Sequence, residues 1–238
     1  MRLDKLIETR MQTTRKEMKR LFLMKRVLVD NKIEMNPQRN VDSQLHQIVV
    51  NGKSLSTDHV YYLLNKPSGV VTAKQDTHCQ TVLDLLELKD QRSELYPVGR
   101  LDRDTTGLLL LTDNGQLGYD LLQPKEKVAK TYRAVVNEVV TQADVVAFAE
   151  GIVFHGGVVC QPAELKILSL NATISTVELT LYEGKFHQVK KMFLACGKKV
   201  IQLQRLTMGP LSLPADLAVG SYRPLTLNEL KQLKKYFR

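Results

Sequence analysis

A short charged segment near the middle of the chain places a carboxylate where it could react. Arg100–Asp104 reads RLDRD, and the four leucines Leu108–Leu111 follow shortly after it. That apolar run is too short to cross a membrane and is typical of a buried strand, and the turn-forming triplet Asp113–Gly115 ends it. Asp102 would therefore lie in a loop that a rigid core strand holds at one end, which suits a reactive side chain. The same pattern also fits a surface salt-bridge cluster.

Asp102 and Asp104 could instead form the acid–base pair of a glycosidase. Residues two apart share one side only in an extended segment, and the two carboxyl groups would then need to lie about 5–9 Å apart. Carbohydrate sites also favour aromatic platforms, and the chain contains no tryptophan. These features disfavour a glycosidase.

The charge balance points to a polyanionic partner. The 238 residues include 34 lysines and arginines against 25 aspartates and glutamates, which gives a formal net charge of +9. RNA, DNA and an anionic membrane surface all suit that balance, although a basic protein without such a partner has the same composition.

The apolar and cysteine patterns exclude several classes of protein. The sequence has no run of about eighteen apolar residues, and its charged first residues lack the apolar core of a secretory signal. The three cysteines are widely separated and form no CxxC pair. We therefore expect a cytoplasmic protein with no membrane span, no disulfide framework and no structural zinc.

The first 56 residues form a basic zone with twelve lysines and arginines against six aspartates and glutamates. Apolar residues at helical spacing predict two short amphipathic helices, and strands are expected at Val27–Val29 and Ile48–Val50. Thr14 and Glu17 have the spacing of a capping box at the start of the second helix. One face of that helix carries four basic residues, which favours phosphate contact over a merely solvated surface: Arg15, Lys16, Lys19 and Arg20.

The polar segment Gly52–Asp58 predicts a linker, so we expect two domains, residues 1–56 and residues 57–238. The second domain alternates short strands with amphipathic helices, which is typical of an α+β fold with a mixed, largely antiparallel sheet. The predicted strands are Val60–Leu64, Leu108–Thr112, Thr131–Val136, Leu165–Leu168, Ser175–Leu181 and Val200–Leu203. The predicted helices are Val82–Leu88, Gly115–Leu122, Gln142–Phe148, His187–Cys196 and Leu227–Phe237.

Three further stretches contain candidate functional residues. Leu63–Gly69 reads LLNKPSG, Lys130–Val136 reads KTYRAVV, and Glu183–Phe193 reads EGKFHQVKKMF. Taken singly, an ordinary turn, a strand with a half-buried tyrosine and a solvated basic helix would explain them.

Taken in order with Gly99–Gly115, these stretches resemble the motifs of the bacterial rRNA pseudouridine synthases. The resemblance is to the branch that modifies single uridines in small- or large-subunit rRNA. The basic zone resembles the S-four-like (alpha-L) RNA-binding domain in three places, which are Arg2–Lys5, Arg15–Lys25 and Val27–Asn31. The resemblance implies a small N-terminal alpha-L domain followed by a pseudouridine synthase catalytic domain.

The resemblance also implies the roles of the site residues. Asp102 matches the catalytic aspartate, Tyr132 the tyrosine that packs on the target base, and Lys190 the basic residue that pairs with the aspartate. Many relatives have arginine at the position of Lys190, so this chain keeps the charge and loses the planar fork. Arg100 would fill the gap that a flipped-out uridine leaves in its stack. The other residues expected to bind RNA are Lys66, Arg103, Lys185, Gln188 and Lys191, with Arg15, Lys16, Lys19 and Arg20 of the basic zone.

Pseudouridine formation breaks the bond from uracil N1 to ribose, rotates the base and rejoins it through C5. The resemblance therefore implies no cofactor and no metal. It implies ribosomal RNA as the partner, within a ribosomal assembly intermediate, and a monomeric protein.

Members that act on 16S rRNA tend to have about this length, whereas 23S rRNA relatives often carry long basic tails, so we expect 16S rRNA over 23S rRNA. The alternative from a different functional class is a non-catalytic RNA-binding factor that assists ribosome assembly.

Overall fold

Two separate β-sheets divide the chain in the computed structural model, which describes residues 1–237. The smaller sheet has four strands in the order β2-β1-β3-β4 and belongs to the N-terminal part. Its elements are α1 (Leu3–Met11), α2 (Arg15–Leu23), β1 (Val27–Val29), β2 (Lys32–Ile33), β3 (Ile48–Val50) and β4 (Lys53–Ser54). The two helices and the two central strands occur where the sequence predicts them, whereas β4 occupies part of the segment that was expected to be a linker.

Local sequence explains how the N-terminal part folds. The predicted capping box at the start of α2 is confirmed, because the Thr14 hydroxyl accepts from the Glu17 backbone N–H and the Glu17 carboxylate accepts from the Thr14 N–H at 2.8 Å. The apolar faces of α1 and α2 pack on β1 and β3 in one core that includes Leu3, Phe22 and Val27. The charged face of α2 is thereby left in solvent.

The larger sheet has nine strands, of which seven lie in the order β13-β5-β7-β11-β8-β10-β9. Its strands are β5 (Tyr61–Lys66), β6 (Tyr96–Pro97), β7 (Thr106–Thr112), β8 (Lys130–Asn137), β9 (Glu164–Leu170), β10 (Ile174–Leu181), β11 (Val200–Met208), β12 (Leu211–Ser212) and β13 (Tyr222–Pro224). The α-helices around it are α3 (Gly115–Leu122), α4 (Gln142–Glu150), α5 (Gln188–Ala195) and α6 (Leu227–Gln232). Among the named strand pairs β7 and β11 run parallel and the others antiparallel, which confirms the predicted α+β class with a largely antiparallel sheet.

The four leucines of β7 are completely buried because both faces of the strand are covered. Leu108 and Leu110 pack in one hydrophobic core, and Leu109 and Leu111 pack in another on the opposite face of the sheet. This burial confirms the prediction of a core strand and explains why its sequence is continuously apolar rather than alternating. No helix within residues 1–237 has the length and apolar character that a membrane crossing requires.

The predicted helix Val82–Leu88 is wrong. Val82 donates its N–H to Val71 and Val71 donates to Gln80, so that Thr81, just before this segment, forms an isolated parallel β-bridge with Val71. The Thr81 hydroxyl forms hydrogen bonds with the backbone N–H and the carboxylate of Asp84, as at the start of a helix. The turn does not continue into an α-helix, and a short 3-10 helix, Leu88–Asp90, follows it. The last predicted helix is also shorter than expected, since α6 ends at Gln232 and a 3-10 turn, Lys234–Tyr236, follows it.

Gly107 joins the two halves of the larger sheet. It lies in β7 opposite Arg205 of β11, with φ of +101°. A Cβ atom at this position would lie 2.3 Å from the carbonyl oxygen and 2.8 Å from the nitrogen of Arg205. The two backbones can approach this closely only because glycine has no side chain.

We expect Gly107→Ala to lower the free energy of unfolding by at least about 3 kcal/mol, since the added methyl group must push two central strands apart. Urea titration of the purified variant measures this. Gly156→Ala is the matched control, because Gly156 has nearly the same φ of +103° and nothing within 4 Å of the added Cβ. The control should lose only about 1 kcal/mol, and equal losses in the two variants would show that the contact with Arg205 does not matter.

Candidate active site

Asp102 lies in the loop that leads into β7 and is paired with a lysine from α5. The Lys190 ammonium is 2.9 Å from Asp102 Oδ2 and 2.6 Å from Asp104 Oδ1. Burial lowers the pKa of Lys190, but the hydrogen bonds to Asp104 and Asp102 outweigh it and leave the pKa above its usual value. His187 stands on the other side of the carboxylate, with its Nε2 3.5 Å from Asp102 Oδ1. The tertiary structure thus brings together the predicted partners Asp102 and Lys190, and it adds Asp104 to the pair.

Asp104 differs from Asp102 in its surroundings. Its side chain is 69% exposed, against 25% for Asp102. The hydrogen bond from Lys190 is the main reason why the pKa of Asp104 lies below its usual value. An exposed carboxylate with one cationic partner is an ordinary surface ion pair, and Asp104 contacts the site through Lys190.

Backbone hydrogen bonds hold the Asp102 loop in place. The Thr72 hydroxyl donates to the Leu101 carbonyl at 2.8 Å and accepts from the Leu101 N–H at 3.2 Å. The Thr105 N–H donates to the Asp102 carbonyl at 3.1 Å, which closes a tight turn around the carboxylate. The main chain at Asp102 is therefore fixed on both sides of the residue.

Lys66, one of the residues predicted to contact RNA, lies beneath this loop and supports it. Its side chain is fully buried at the end of β5. The ammonium donates to the carbonyl oxygens of Pro67, Arg103 and Thr105 at 3.0, 3.2 and 2.9 Å. Burial lowers the pKa of Lys66 to about 8, against the opposing influence of Asp104 and Asp102. Lys66 is a structural residue of the loop.

Tyr132 faces the carboxylate loop from the other half of the sheet. It lies on β8, directly opposite Arg205 of β11 and Leu179 of β10. Residues directly opposite each other in antiparallel strands project from the same face, so these three side chains share one side of the sheet. A cavity of about 1030 Å³ opens there, and its lining includes Arg100, Asp102, Lys130, Tyr132, Lys190 and Arg205.

Two cations of this cavity, Arg205 and Lys130, are absent from the predicted site. Arg205 is 2% exposed, its Nε donates to the Leu108 carbonyl at 2.8 Å, and its Nη2 has no hydrogen-bond partner within residues 1–237. Burial, and secondarily the charge of Arg205, lowers the pKa of Lys130 to about 8. Lys130 lies two residues before Tyr132 in a predicted strand, so the sequence indicated that the two side chains share one face of the sheet. Nothing in the sequence around Arg205 showed that its side chain would be buried.

The other predicted RNA-binding residues of the second domain fall into two groups. Arg100, Arg103 and Lys191 reach solvent at or near the cavity. Lys185 is ion-paired with Glu183. Gln188 is only 4% exposed, and its amide group binds Glu183 and the Lys185 backbone and closes the loop before α5. Within residues 1–237, no cluster of three or more His, Cys, Asp or Glu side chains could hold a metal ion.

Comparison with known proteins gives a consistent result. The family model described as RNA pseudouridylate synthase matches residues 60–195. An uncharacterized RNA pseudouridine synthase of Bacillus subtilis, YtzG, is 39% identical over 236 residues, covering 99% of each chain. The ribosomal small subunit pseudouridine synthase A of Escherichia coli is 37% identical over 233 residues, covering 97% of this chain and 98% of its own. A crystal structure of a pseudouridylate synthase superimposes with a TM-score of 0.69 at 35% identity, covering 98% of this chain and 99% of that one.

Proposed function

Because this chain belongs to the RNA pseudouridylate synthase family and is an RNA pseudouridine synthase, we propose that it modifies a uridine of 16S rRNA with Asp102 as the catalytic carboxylate. The observation that carries the proposal is the ion pair of Asp102 and Lys190 at a cavity that Tyr132 also lines. The name of the E. coli relative, which matches nearly end to end, supports the small subunit as the source of the substrate.

The reaction exchanges one bond of the base for another. The bond from uracil N1 to C1′ of the ribose breaks, the base turns, and C5 bonds to C1′; C5 then loses its proton and N1 gains one, so the product is an isomer. Asp102 serves this chemistry as an anion, either by attacking C1′ or by taking the proton of C2′. The Lys190 ammonium lies 2.9 Å from this carboxylate and forms an ion pair with it.

The cations of the cavity suit the charge that the reaction creates. Breaking the N1–C1′ bond leaves negative charge on the detached base. Lys130 and Arg205 lie on the same sheet face as Tyr132, and the Nη2 of Arg205 is unpaired in the described chain. Preorganised cations directed at the place where negative charge develops stabilise that charge strongly. We assign the two residues to this role, with Tyr132 packing on the ring of the base.

The target uridine must leave its stack to reach Asp102. Arg100 is exposed, lines the cavity and lies two residues before the carboxylate in the same loop. A long planar cation at this position can enter the space that the base vacates and stack on its neighbours. We propose this role for Arg100, and we propose that Arg103 and Lys191 bind phosphates beside it.

The basic face of α2 supplies a second contact with RNA. Arg15, Lys16, Lys19 and Arg20 are all exposed, and within residues 1–237 none of them forms an ion pair with an acidic side chain. Unpaired surface cations on one helix face attract the phosphate backbone and release its counterions on binding. We propose that this face anchors the RNA while the cavity of the larger sheet acts on one uridine.

We expect Asp102→Asn to lower the release of tritium from 16S rRNA labelled with 5-³H-uridine by at least about a thousandfold, because the neutral amide can neither attack C1′ nor take a proton. RNA affinity, measured by filter binding, should change little. Asp104→Asn is the matched control and should remain within a few fold of the wild-type rate. Normal turnover of Asp102→Asn would refute the assignment of the catalytic carboxylate.

Mapping pseudouridines in rRNA identifies the substrate. In a strain from which the gene has been deleted, one pseudouridine of 16S rRNA should disappear and should return when the wild-type gene is supplied. The Asp102→Asn gene should not restore it. Loss of a site in 23S rRNA would reassign the substrate, and an unchanged map of both rRNAs would favour a non-catalytic assembly factor.

Reversing the charge of the α2 face should weaken RNA binding and reduce its salt dependence. For the quadruple change of Arg15, Lys16, Lys19 and Arg20 to Glu, we expect the slope of log K against log[salt] to fall by up to about three, at roughly 0.7–0.9 per lost phosphate contact. The matched control changes four exposed lysines elsewhere to Glu: Lys32, Lys53, Lys89 and Lys231. The same slope in wild-type and α2 variant proteins would exclude this face from the interface.

A further inference from the structure

An exposed aromatic side chain stands at the rim of the active-site cavity. Phe186 is 67% exposed and lines the cavity mouth one residue before His187. Its ring is stacked on the His187 imidazole, with the centroids 3.8 Å apart and the planes inclined by 21°. Because His187 in turn lies 3.5 Å from Asp102, the phenyl ring is one side chain removed from the reacting carboxylate.

The loop that carries Phe186 is held rigidly. The Gln188 side chain accepts from the Lys185 N–H at 2.8 Å and donates to Glu183 at 2.6 Å, and Glu183 also accepts from the Gln161 N–H at 3.0 Å. His187 adopts a left-handed backbone conformation with φ of +53°, which is uncommon for a residue other than glycine. A fixed apolar ring that the fold leaves in water is ready to bind without a large loss of conformational entropy.

The charges around the ring suit a nucleic acid. The Lys191 ammonium lies 4.9 Å from the ring centroid, and between Lys185 and Arg205 the sequence contains no acidic residue. Bases stack on aromatic side chains while nearby cations contact the phosphates, and this mode of binding accepts any base.

We propose that Phe186 is the stacking platform for an unpaired RNA base adjacent to the target uridine. The proposal rests on the proposed function in one respect, namely that RNA enters this cavity. Tyr132 is half-buried inside the cavity and is assigned to the target base, whereas Phe186 is at its exposed rim. When the uridine leaves the helix its neighbour loses a stacking partner, and the Phe186 ring replaces that partner.

The first test measures binding to a synthetic RNA hairpin that carries the mapped uridine. It uses Asp102→Asn protein so that turnover does not intervene. Adding Phe186→Ala should weaken affinity by about 5- to 100-fold, the range for loss of one base–aromatic stack. Phe186→Tyr should restore affinity, and Phe186→Leu should not, since leucine keeps apolar area and lacks a ring face. Tyr119→Ala is the matched control, because Tyr119 is an aromatic residue with 61% exposure that does not line the cavity.

The second test removes the partner base. It uses two hairpins, one with an abasic nucleotide immediately 5′ of the uridine and one with the abasic nucleotide immediately 3′ of it. One of these two hairpins should bind the wild-type and Phe186→Ala proteins with equal affinity. In proteins with an intact Asp102, Phe186→Ala should raise KM and leave kcat within about threefold.

Three binding results would overturn the proposal that Phe186 is a stacking platform. These are a change in affinity of less than about twofold in Phe186→Ala, full rescue by leucine, or an effect of Phe186→Ala that persists on both abasic hairpins. A loss confined to kcat would also overturn it, because the ring would then act only by positioning His187. If the wild-type protein binds the hairpin but forms no pseudouridine, the proposed function fails, and the binding comparison still decides the role of Phe186.

Discussion

The close approach of two strand backbones at Gly107 is the constraint on which the rest of the active site depends. On one side of this junction, the loop that carries Asp102 leads into β7. On the other side, β11 presents Arg205 and is paired with β8, which presents Tyr132. A side chain at Gly107 would collide with the Arg205 backbone, so Asp102 and the sheet face that carries Tyr132 meet only because this position lacks a Cβ atom. The Arg205 guanidinium strengthens the same junction by donating to the Leu108 carbonyl.

Three cations around the cavity, of which Lys66 and Arg205 are buried and Lys130 is half-buried, differ in their hydrogen bonds and therefore in their roles. Lys66 has three carbonyl acceptors, so its burial is compensated and it stabilises the loop. Lys130 has one carbonyl acceptor, and Arg205 has a nitrogen without any partner in the described chain. Buried polar groups are normally satisfied, and those that are not often serve function. The two incompletely satisfied cations are those that line the cavity, where a substrate that becomes anionic can complete their interactions.

Short-range patterns in the sequence predicted much of the fold and part of the site. The capping box of Thr14 and Glu17 formed, and the four-leucine run became a buried strand, because local hydrogen bonding and hydrophobicity agree with the tertiary environment. Val82–Leu88 had equally good local signals and did not form a helix, since pairing with Val71 competed successfully for its backbone. That pairing is invisible in the segment itself.

The sequence by itself determined the family motifs, the basic face of α2 and the identity of Asp102, Tyr132 and Lys190 as candidates, because these depend on residue types and on spacing along the chain. Only the tertiary structure decided which charged side chains are accessible. It buried Lys66 and Gln188, which the motifs had suggested for RNA, and it turned Arg205 inward and Phe186 outward. The physical reason is that the free energy of a charged or aromatic side chain depends on its neighbours in space. Those neighbours come from strands and loops distant in the chain, as in the hydrogen bond from Arg205 to Leu108, which lie 97 residues apart.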